Sequence, residues 1–290
     1  MALTASTRRK GEREFHMSDG EFREVAKIIY AQAGIVLGDH KKELVYSRLA
    51  RRIRELGLAD FKSYMLRLNG DKSDGERSHL INALTTNHTH FFRENHHFEY
   101  IQKTVVPKWI ARAEKSGSKQ LKFWSAASSS GEEPYTLAMT VANALEGHSG
   151  WDWKMLATDI DTKVLQQAKL GHYKAETAKG IPPAIRAKYV SPVKGQPDMI
   201  NIKDSLKPNI TFNQLNLHGN WPMKGQFDLI FCRNVTIYFD AESKNKLVSR
   251  FRDYLKPDGV LFLGHSESVL GEKANYHSVG RTIYTLGGDV

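Results

Sequence analysis

The sequence predicts an α/β protein with a doubly wound sheet, preceded by a helical bundle and interrupted by a small insertion. Apolar residues recur at helical spacing over residues 19–68, and short β-type runs alternate with helical runs beyond residue 105. Residues 171–207 carry four prolines between these runs. Alternating strands and helices are typical of an open parallel sheet, in which ligands bind at the carboxyl ends of the strands.

The N-terminal region is predicted to be all-α. At least three short helices fit the apolar spacing over residues 19–68, and residues 77–84 predict a fourth. Ser18 or Asp19 can cap the first helix, and Asp60 can cap the third.

The second region contains five runs with the character of buried strands: residues 121–126, 154–160, 210–217, 227–234 and 259–265. Helical runs lie between them at residues 133–145, 162–169 and 242–255. The proline-rich segment 171–207 is too long for a plain connection, so we expect an inserted subdomain with a short helix and a small hairpin.

Composition excludes several classes of protein. The 290 residues are 40% hydrophobic and contain no apolar run long enough to span a bilayer, which takes about 18 residues. The basic N-terminus lacks the apolar stretch of a secretory signal, and the single cysteine, Cys232, cannot form an intramolecular disulfide. We therefore expect a cytoplasmic protein in which Cys232 is a structural thiol.

The net charge of +10 favours an acidic partner: nucleic acid, an anionic membrane or an acidic protein surface.

The first strand of the sheet leads into a turn of small residues, SAASSSGEEPY, where such folds hold a nucleotide-like cofactor. The turn lacks G-x-G-x-x-G and carries Glu132 and Glu133 at the helix entry, which would repel a pyrophosphate. A cofactor with an ammonium group and no phosphate would be attracted there, which favours S-adenosylmethionine. Alternatively, the two glutamates merely complement the helix dipole.

Two other strand exits carry polar residues. Asp159 lies at the end of the second strand, where a carboxylate can accept hydrogen bonds from ribose hydroxyls, whereas Asp161 is more simply a helix cap. Arg233, Asn234 and Tyr238 lie at the exit of the fourth strand. Because the carboxyl ends of parallel strands share one edge of a sheet, these residues are expected at the same site.

The segment TTNHTHFFREN between the two regions is dense in functional groups. His88 and His90 lie in it, and His96 and His97 follow it, but no cysteine or H-E-x-x-H spacing accompanies them, so no metal site is predicted. Arg93 could form an ion pair at a domain interface or present its guanidinium to a carboxylate substrate.

A basic stripe marks the second predicted helix. Six basic residues accompany a single acidic one, Glu43, within fourteen positions: Lys41, Lys42, Arg48, Arg51, Arg52 and Arg54. Such a run can be a solvated helix face, but the imbalance favours a docking surface for an acidic partner.

The motifs together resemble one family, the chemotaxis receptor methyltransferases, which use S-adenosylmethionine to esterify glutamates on chemoreceptors. The resemblance lies in the stretches TTNHTHFFRE, WSAASSSGEEPYT, ATDID, FDLIFCRNVTIYF and LKPDGVLFLGHSES. It extends to the N-terminal stretches EFREVAKIIYAQAGIVL and KKELVYSRLARRIRELGL, which are similar to that family's receptor-facing domain.

The resemblance implies a class I S-adenosylmethionine-dependent methyltransferase, with a Rossmann-like sheet whose last strand, at residues 283–286, is antiparallel. It divides the chain into a helical receptor-docking domain at 15–88, a linker at 89–105 that contributes to the active site, and a methyltransferase domain at 106–290. The insertion lacks the closely spaced glycines of members that bind a receptor's C-terminal pentapeptide, so binding by that route is left open.

Carried onto this sequence, the resemblance implies that Arg93 and Tyr238 place the substrate. The implied cofactor contacts are Asn87, Thr89, Arg93, Glu133, Asp159, Asn216, Leu217, Arg233 and Asn234. The implied partners are the acidic cytoplasmic helices of chemoreceptors, with a monomeric enzyme recruited to membrane receptor arrays without inserting into the membrane and without binding nucleic acid.

Two other functions stay open on the sequence. The charge of +10 and the cofactor fold also fit a nucleic-acid methyltransferase, although the exit RNVTIYF lacks the Asn/Asp-Pro-Pro-aromatic run of enzymes that methylate amines. A non-catalytic module that binds S-adenosylmethionine and docks on receptors is the other alternative, against which Arg93 and Tyr238 argue.

Overall fold

The computed structural model describes residues 13–70, 75–269 and 275–287. The chain forms two compact units, Met1–Thr85 and Thr86–Val290.

The first unit is helical, as predicted. Its apolar residues fall on one side of each helix and are buried together, among them Val25, Ile29, Leu49, Phe61 and Leu80. The helices of its described residues are α1 (Asp19–Ala33), α2 (Lys42–Glu55), α3 (Phe61–Gly70) and α4 (Gly75–Leu84).

Local signals fix the helix ends of the first unit. Ser18 caps α1 in a capping box, in which its hydroxyl accepts from the backbone N–H of Glu21 and the Glu21 carboxylate accepts from the backbone N–H of Ser18. Asp60 accepts from the backbone N–H of Ser63 at the start of α3, as its position in the sequence predicts.

The second unit begins with the stretch predicted as a linker, which is largely helical. Helix α5 (His96–Tyr100) continues through a π-helical turn (Ile101–Val105) into α6 (Val106–Ser116). Phe91 and Phe98 are 1% exposed and belong to the core of this unit. Residues 89–105 are therefore an integral part of the second unit and not a free connection, because burying their aromatic side chains stabilises the packed arrangement.

Strands alternate with helices through the rest of the second unit. The strands are β1 (Gln120–Ala126), β2 (Asp152–Asp159), β3 (His172–Lys174), β4 (Val190–Val193), β5 (Gln196–Ile202), β6 (Ile210–Gln214), β7 (Phe227–Cys232), β8 (Leu255–Leu263), β9 (His277–Gly280) and β10 (Ile283–Thr285). The helices are α7 (Glu132–Ala144), α8 (Thr162–Leu170), α9 (Pro183–Tyr189) and α10 (Ala241–Tyr254).

The main sheet is the predicted doubly wound sheet. Its described strands run in the order β6-β2-β1-β7-β8-β10-β9. The first five are parallel to one another, and β10 is antiparallel to β8, which confirms the predicted antiparallel last strand. The edge strand β9 was not predicted, since the four residues HSVG are too few to show a strand pattern. In the structure these residues are mostly exposed.

Strand β8 begins four residues before the predicted start at 259. Its pairing with β7 shifts register between the Phe227–Leu255 and Leu229–Val260 pairs. The residues between these pairs, Pro257 included, loop out of the ladder, which is how a strand accommodates a residue that has no N–H to donate.

The insertion forms the predicted short helix, α9, and a hairpin of β4 and β5, to which β3 adds a third antiparallel strand. The buried hydroxyl of Tyr173 in β3 donates to the carbonyl of Ser130 at 2.8 Å, and its ring packs edge-on against Phe91. The small sheet is thus fixed to the turn that follows β1.

No helix in the described part of the chain has the length and apolarity needed to cross a bilayer.

Candidate functional site

The turn after β1 holds a strained backbone at the carboxyl edge of the sheet. Ala127, Ser129 and Gly131 adopt left-handed conformations, with φ of 81°, 48° and 99°. A Cβ at Gly131 would lie 2.7 Å from the Tyr173 hydroxyl, so glycine is required there. The turn brings the backbone close to the exit of the neighbouring strand β2, where Thr158 accepts from its N–H groups.

Asp159 lies at the end of β2 and is held by this turn. One carboxylate oxygen accepts from the backbone N–H of Ser129 at 2.8 Å, and the other accepts from that of Asp161 at 2.9 Å. The side chain is buried, and desolvation raises the pKa of Asp159 to about 6 despite these hydrogen bonds. The backbone N–H of Ile160 also contributes, and a carboxylate has about four acceptor positions, so Asp159 can accept a further hydrogen bond.

Asp161 is a helix cap, as predicted. Its carboxylate accepts from the backbone N–H groups of Lys163 and Val164 at the start of α8. It also accepts from the side-chain amide of Asn87 at 2.7 Å, and the Asn87 carbonyl accepts from the Ser129 hydroxyl at 3.1 Å. The cap thereby brings the predicted cofactor residue Asn87 to the edge that carries Asp159.

Glu133 and Arg233 form a buried ion pair across the site. The Glu133 carboxylate accepts from Arg233 Nε and from the Ser125 hydroxyl, each at 2.8 Å. The negative charge expected at the entry of α7 is therefore compensated by Arg233. Glu132 is also buried, where desolvation raises its pKa and Ser130 donates to it at 2.6 Å.

Arg233 also organises the segment before α5. Its Nη1 donates to the carbonyl of Arg93 at 2.6 Å and lies 3.3 Å from Nδ1 of His97, while its guanidinium stacks over the Phe98 ring at 5.3 Å. His97 is fully buried, and desolvation, followed by the charge of Arg233, lowers its pKa to about 3. His97 is therefore neutral at pH 7.

The Arg93 segment is strained on both sides of the arginine. Phe92 and Glu94 each have a φ of 57°, a conformation that costs non-glycine residues energy and that clusters at functional sites. Arg93 itself donates through Nη1 to the carbonyl of His88 at 2.8 Å.

Glu94 follows Arg93 and contacts the exits of β7 and β8. Its side chain is 10% exposed and lies 3.1 Å from His265 Nδ1, 3.4 Å from the Asn234 amide and 3.7 Å from Arg233 Nη1. Burial opposes ionisation of Glu94, but Arg233 and His265 outweigh it and hold its pKa below the ordinary value.

Asn234 leaves β7 in a left-handed conformation, with a φ of 59°. The carboxylate of Glu267 holds it there by accepting from the backbone N–H groups of Asn234, Val235 and Thr236 at 2.7–2.8 Å. Glu267 is not among the residues that the sequence predicts for the site. The 3-10 turn that follows (Thr236–Tyr238) carries Tyr238, which is half-buried.

The remaining predicted cofactor residues lie on the next strand exit and on the segment before α5. The backbone N–H of Leu215 donates to the carbonyl of Asp159 at 2.9 Å, so Asn216 and Leu217 follow directly beside the β2 exit. Leu217 is buried, and the Asn216 side chain accepts from the backbone N–H of His218. Thr89 is half-buried.

Two protein-family models match the sequence and together cover almost the whole chain. A family model described as "CheR methyltransferase, SAM binding domain" matches residues 87–285, and one described as "CheR methyltransferase, all-alpha domain" matches residues 20–85. The chain belongs to the CheR methyltransferase family. The resemblance stated from the motifs is thereby confirmed, together with the fold class and S-adenosylmethionine as the cofactor.

Relatives in this family align along most of their length. A "Probable chemotaxis protein methyltransferase" of Rhizobium etli is 44% identical, with 89% of this chain and 96% of the relative covered. A "Chemotaxis protein methyltransferase" of Escherichia coli is 42% identical over 94% of this chain and 93% of the relative. A "Chemotaxis protein methyltransferase 2" of Pseudomonas aeruginosa is 39% identical over 95% and 96%.

The polar groups at this edge suit the cofactor of the CheR family. Asp159 can accept from sugar hydroxyls, and a buried hydroxyl in the same turn, that of Ser128, has no hydrogen-bond partner among the described residues. An unpaired buried hydroxyl is costly, so a ligand with polar groups would relieve it. The residues present therefore fit a nucleoside ligand with amino-acid groups.

His97 and Cys232 of this CheR-family chain are buried, whereas His88 and His90 are exposed. His97 is buried beside Arg233 and the Thr282 hydroxyl, and the ring centres of His88 and His90 are 6.3 Å apart. In the described ranges, no three His, Cys, Asp or Glu side chains are grouped to hold a metal ion. Cys232 is buried, and desolvation raises its thiol pKa well above the ordinary value, as a structural thiol requires.

The basic stripe of the first unit is more paired than the sequence suggests. Arg52 binds Glu76 through two nitrogens, at 3.0 and 2.8 Å, and the Glu76 side chain is 3% exposed. Arg51 pairs with Glu55 at 3.0 Å and Arg54 with Glu14 at 2.5 Å.

The two lysines and Arg48 complete the stripe. Lys42 binds Asp19, Arg48 donates to the carbonyl of Thr85 at 2.8 Å, and Lys41 is half-buried. The predicted excess of unopposed positive charge is therefore reduced, because Asp19, Glu14 and Glu76 from other segments, and Glu55 of α2 itself, pair with its basic residues. Arg51 and Arg54 stay largely exposed, at 80% and 59% of their side chains.

Proposed function

We propose that this protein transfers the methyl group of S-adenosylmethionine to glutamate side chains of chemoreceptor cytoplasmic helices, giving methyl esters in chemotactic adaptation. The observation that carries the proposal is the edge formed by Asp159, the Glu133–Arg233 pair and Asn234, in a chain that two CheR family models match in order. Relatives named chemotaxis protein methyltransferases support the receptor as the substrate.

The acceptor chemistry needs little from the protein. A glutamate side chain has a pKa of about 4.3, so it is ionised at pH 7 and is a nucleophile without a general base. When bound, S-adenosylmethionine supplies an activated methyl group on a positively charged sulfonium. What the protein contributes is alignment of the acceptor and exclusion of water.

Nine residues are proposed to bind the cofactor: Asn87, Thr89, Arg93, Glu133, Asp159, Asn216, Leu217, Arg233 and Asn234. Within this set Asp159 accepts from the ribose hydroxyls with the acceptor capacity that its hydrogen bonds to backbone N–H groups leave. Arg233 acts as a scaffold, because its guanidinium is engaged by Glu133 and by the Arg93 carbonyl.

Arg93 and Tyr238 are proposed to orient the acceptor carboxylate. Arg93 is anchored through Nη1 on the His88 carbonyl, and Tyr238 ends the turn whose start Glu267 fixes. Hydrogen bonds from these two residues would align the carboxylate without neutralising it. Too strong a contact from Arg93 would lower its nucleophilicity, so we assign Arg93 an orienting role.

The first unit, predicted as residues 15–88, is proposed to dock on the receptor, and residues 89–105 to complete the active site of the methyltransferase domain at 106–290. The enzyme is proposed to be monomeric in the cytoplasm and recruited to receptor arrays. Docking is assigned to the exposed members of the basic stripe, Arg51 and Arg54, which face solvent and carry the charge that an acidic helix attracts.

The test is transfer of labelled methyl groups to membranes that contain chemoreceptors, followed by alkali treatment of the product. Carboxyl esters hydrolyse in alkali, whereas N-methyl groups are stable, so release of the label as methanol supports the proposal. Label that stays on the protein after alkali treatment, or label on nucleic acid, would contradict it.

A further inference from the structure

The carboxylate of Glu267 is surrounded by donors from two separate segments. Its Oε1 accepts from the backbone N–H groups of Val235 and Thr236, each at 2.7 Å, and from the Thr236 hydroxyl at 3.0 Å. Its Oε2 accepts from the backbone N–H of Asn234 at 2.8 Å and from that of Gly264 at 2.6 Å. The residue is 4% exposed. Its lone pairs are thus fully used inside the protein.

Three consecutive N–H groups that converge on one point form a concave anion-binding arrangement, which elsewhere in proteins receives a phosphate or carboxylate ligand. Here a side chain of the same chain fills it. The left-handed Asn234 is what turns the N–H groups of Asn234, Val235 and Thr236 towards a common point. The carboxylate therefore compensates a backbone conformation that would otherwise be unfavourable.

The packing around this contact leaves no room for adjustment. A Cβ at Gly264 would lie 2.6 Å from the side-chain amide nitrogen of Asn234 and 2.8 Å from Glu267 Oε2. Gly264 is the first residue after β8, and Glu267 follows it in a tight turn closed by a hydrogen bond between them at 2.8 Å. The exits of β7 and β8 are thus joined through one side chain.

We propose that Glu267 is a positioning residue for methyl transfer: by holding the backbone of residues 234–236, it sets the Asn234 side chain towards the cofactor and the Tyr238 turn towards the acceptor. The inference rests on the proposed function, since that function assigns Asn234 and Tyr238 their roles. Glu267 itself touches neither ligand and acts only through the segment that it holds.

The variant Glu267→Gln tests this role. It keeps the size of the side chain but replaces one acceptor oxygen with an NH₂ group that faces further donors. We expect S-adenosylhomocysteine, measured by calorimetry, to bind about tenfold more weakly or worse. We also expect the methylation rate at saturating cofactor to fall by a similar factor, because the acceptor side of the site moves as well.

The matched control is Asp228→Asn. Asp228 is 1% exposed and accepts from Arg112, Lys256 and the backbone N–H of Lys122, so it is another buried carboxylate on β7. It lies near the opposite end of that strand from Arg233. This variant should lose thermal stability as Glu267→Gln does, yet retain the affinity for S-adenosylhomocysteine and the methylation rate.

A second readout reports the contact directly. In ¹⁵N-labelled protein, the amide protons of Asn234, Val235, Thr236 and Gly264 should shift upfield in Glu267→Gln, since hydrogen bonds to a carboxylate move amide signals downfield. If Glu267→Gln does not fold, Thr236→Val removes only the hydroxyl donor from the same carboxylate, and a loss of affinity of about two- to fivefold is expected.

The inference is overturned if Glu267→Gln binds S-adenosylhomocysteine and transfers methyl groups as the wild type does, or if Asp228→Asn shows the same losses. With Thr236→Val alone, an unchanged affinity overturns it. The binding and amide measurements need no receptor. If the wild type binds S-adenosylhomocysteine but methylates no receptor, the proposed function fails while the positioning role is still decided by these two measurements.

Discussion

The Glu133 carboxylate lies 2.8 Å from Nε of Arg233, and neither side chain is more than 9% exposed. The pair links the start of α7 to the exit of β7. Taking two charges out of water is costly, and the cost is offset only where the geometry is good and the other polar atoms are satisfied. Here Ser125 donates to the carboxylate, and the Arg93 carbonyl accepts from the guanidinium.

We expect Glu133→Gln to lower the free energy of unfolding by about 3–5 kcal/mol, because it leaves the Arg233 charge buried without its close partner. Urea unfolding followed by tryptophan fluorescence measures this, since all five tryptophans lie beyond residue 86 and report on the second unit. The control Glu146→Gln removes an exposed partner of Lys188 and should change the stability by less than about 1 kcal/mol. Equal effects in the two variants would contradict the importance of the buried pair.

The affinity for S-adenosylhomocysteine should fall as the pH falls through about 6. Desolvation raises the pKa of Asp159 from 3.8 to about 6, so the carboxylate becomes protonated in this range although a solvated aspartate would stay ionised. Hydrogen bonds from ribose hydroxyls favour the ionised form, so bound ligand lowers this pKa and binding is tighter above it.

Calorimetry between pH 5 and 7.5 measures this dependence, with Asp159→Asn as the control. The asparagine variant has no carboxylate to titrate, so its weaker binding should be nearly independent of pH in this window. A pH dependence that persists unchanged in Asp159→Asn would assign it to another group and reject Asp159 as the ribose acceptor.

The fold could be predicted because its signals are local. The Ser18 capping box lies within four consecutive residues, and a buried strand such as β7 is a short run in which five of six residues are apolar. Strand exits and family motifs could predict that Asp159, Arg233 and Asn234 lie at the ends of β2 and β7, and their roles stay predictions. The pairing of Glu133 with Arg233 was not, because the two residues are 100 positions apart.

The contacts of Glu267 and Arg52 were missed because they join chain segments that meet only in the folded protein. Glu267 lies 33 positions from Asn234, and nothing in the letters HSES indicates that its carboxylate collects backbone N–H groups. Arg52 likewise meets Glu76 across 24 positions, so a count of charges along α2 overstates the exposed positive charge. Periodicity within one helix carries no information about carboxylates on another.

Arg93→Ala and Tyr238→Phe should separate binding from turnover. Loss of the Tyr238 hydroxyl should lower the methylation rate and leave the affinity for S-adenosylhomocysteine unchanged, because the proposed contact is to the acceptor. Arg93→Ala should lower both, since Arg93 is assigned to both ligands. Steady-state methylation at saturating cofactor, together with calorimetry, measures the two quantities. An equal loss of affinity in both variants would contradict this division of roles.

The last prediction separates docking from stability within the basic stripe. Arg51 and Arg54 are exposed, so reversing both to glutamate should change the stability by only about 0.5 kcal/mol per site. It should raise the KM for receptor strongly at low salt, because like charges would face the acidic receptor helices. The affinity for S-adenosylhomocysteine should be unaffected. Added salt should weaken the wild-type interaction and reduce the difference, as the screening length falls from about 10 Å at 0.1 M to about 3 Å at 1 M.

Arg52→Glu is the contrasting variant. It places a second carboxylate beside the buried Glu76, so we expect the first unit to lose about 3–5 kcal/mol of stability whatever the receptor does. Circular dichroism during urea unfolding measures this loss, and receptor methylation is compared at a temperature where all variants are folded.

If the Arg51→Glu, Arg54→Glu double variant methylates receptors at the wild-type rate at low salt, these two arginines are a solvated face. Receptor recognition then has to come from another surface, and the inserted sheet of β3, β4 and β5 is the next one to mutate.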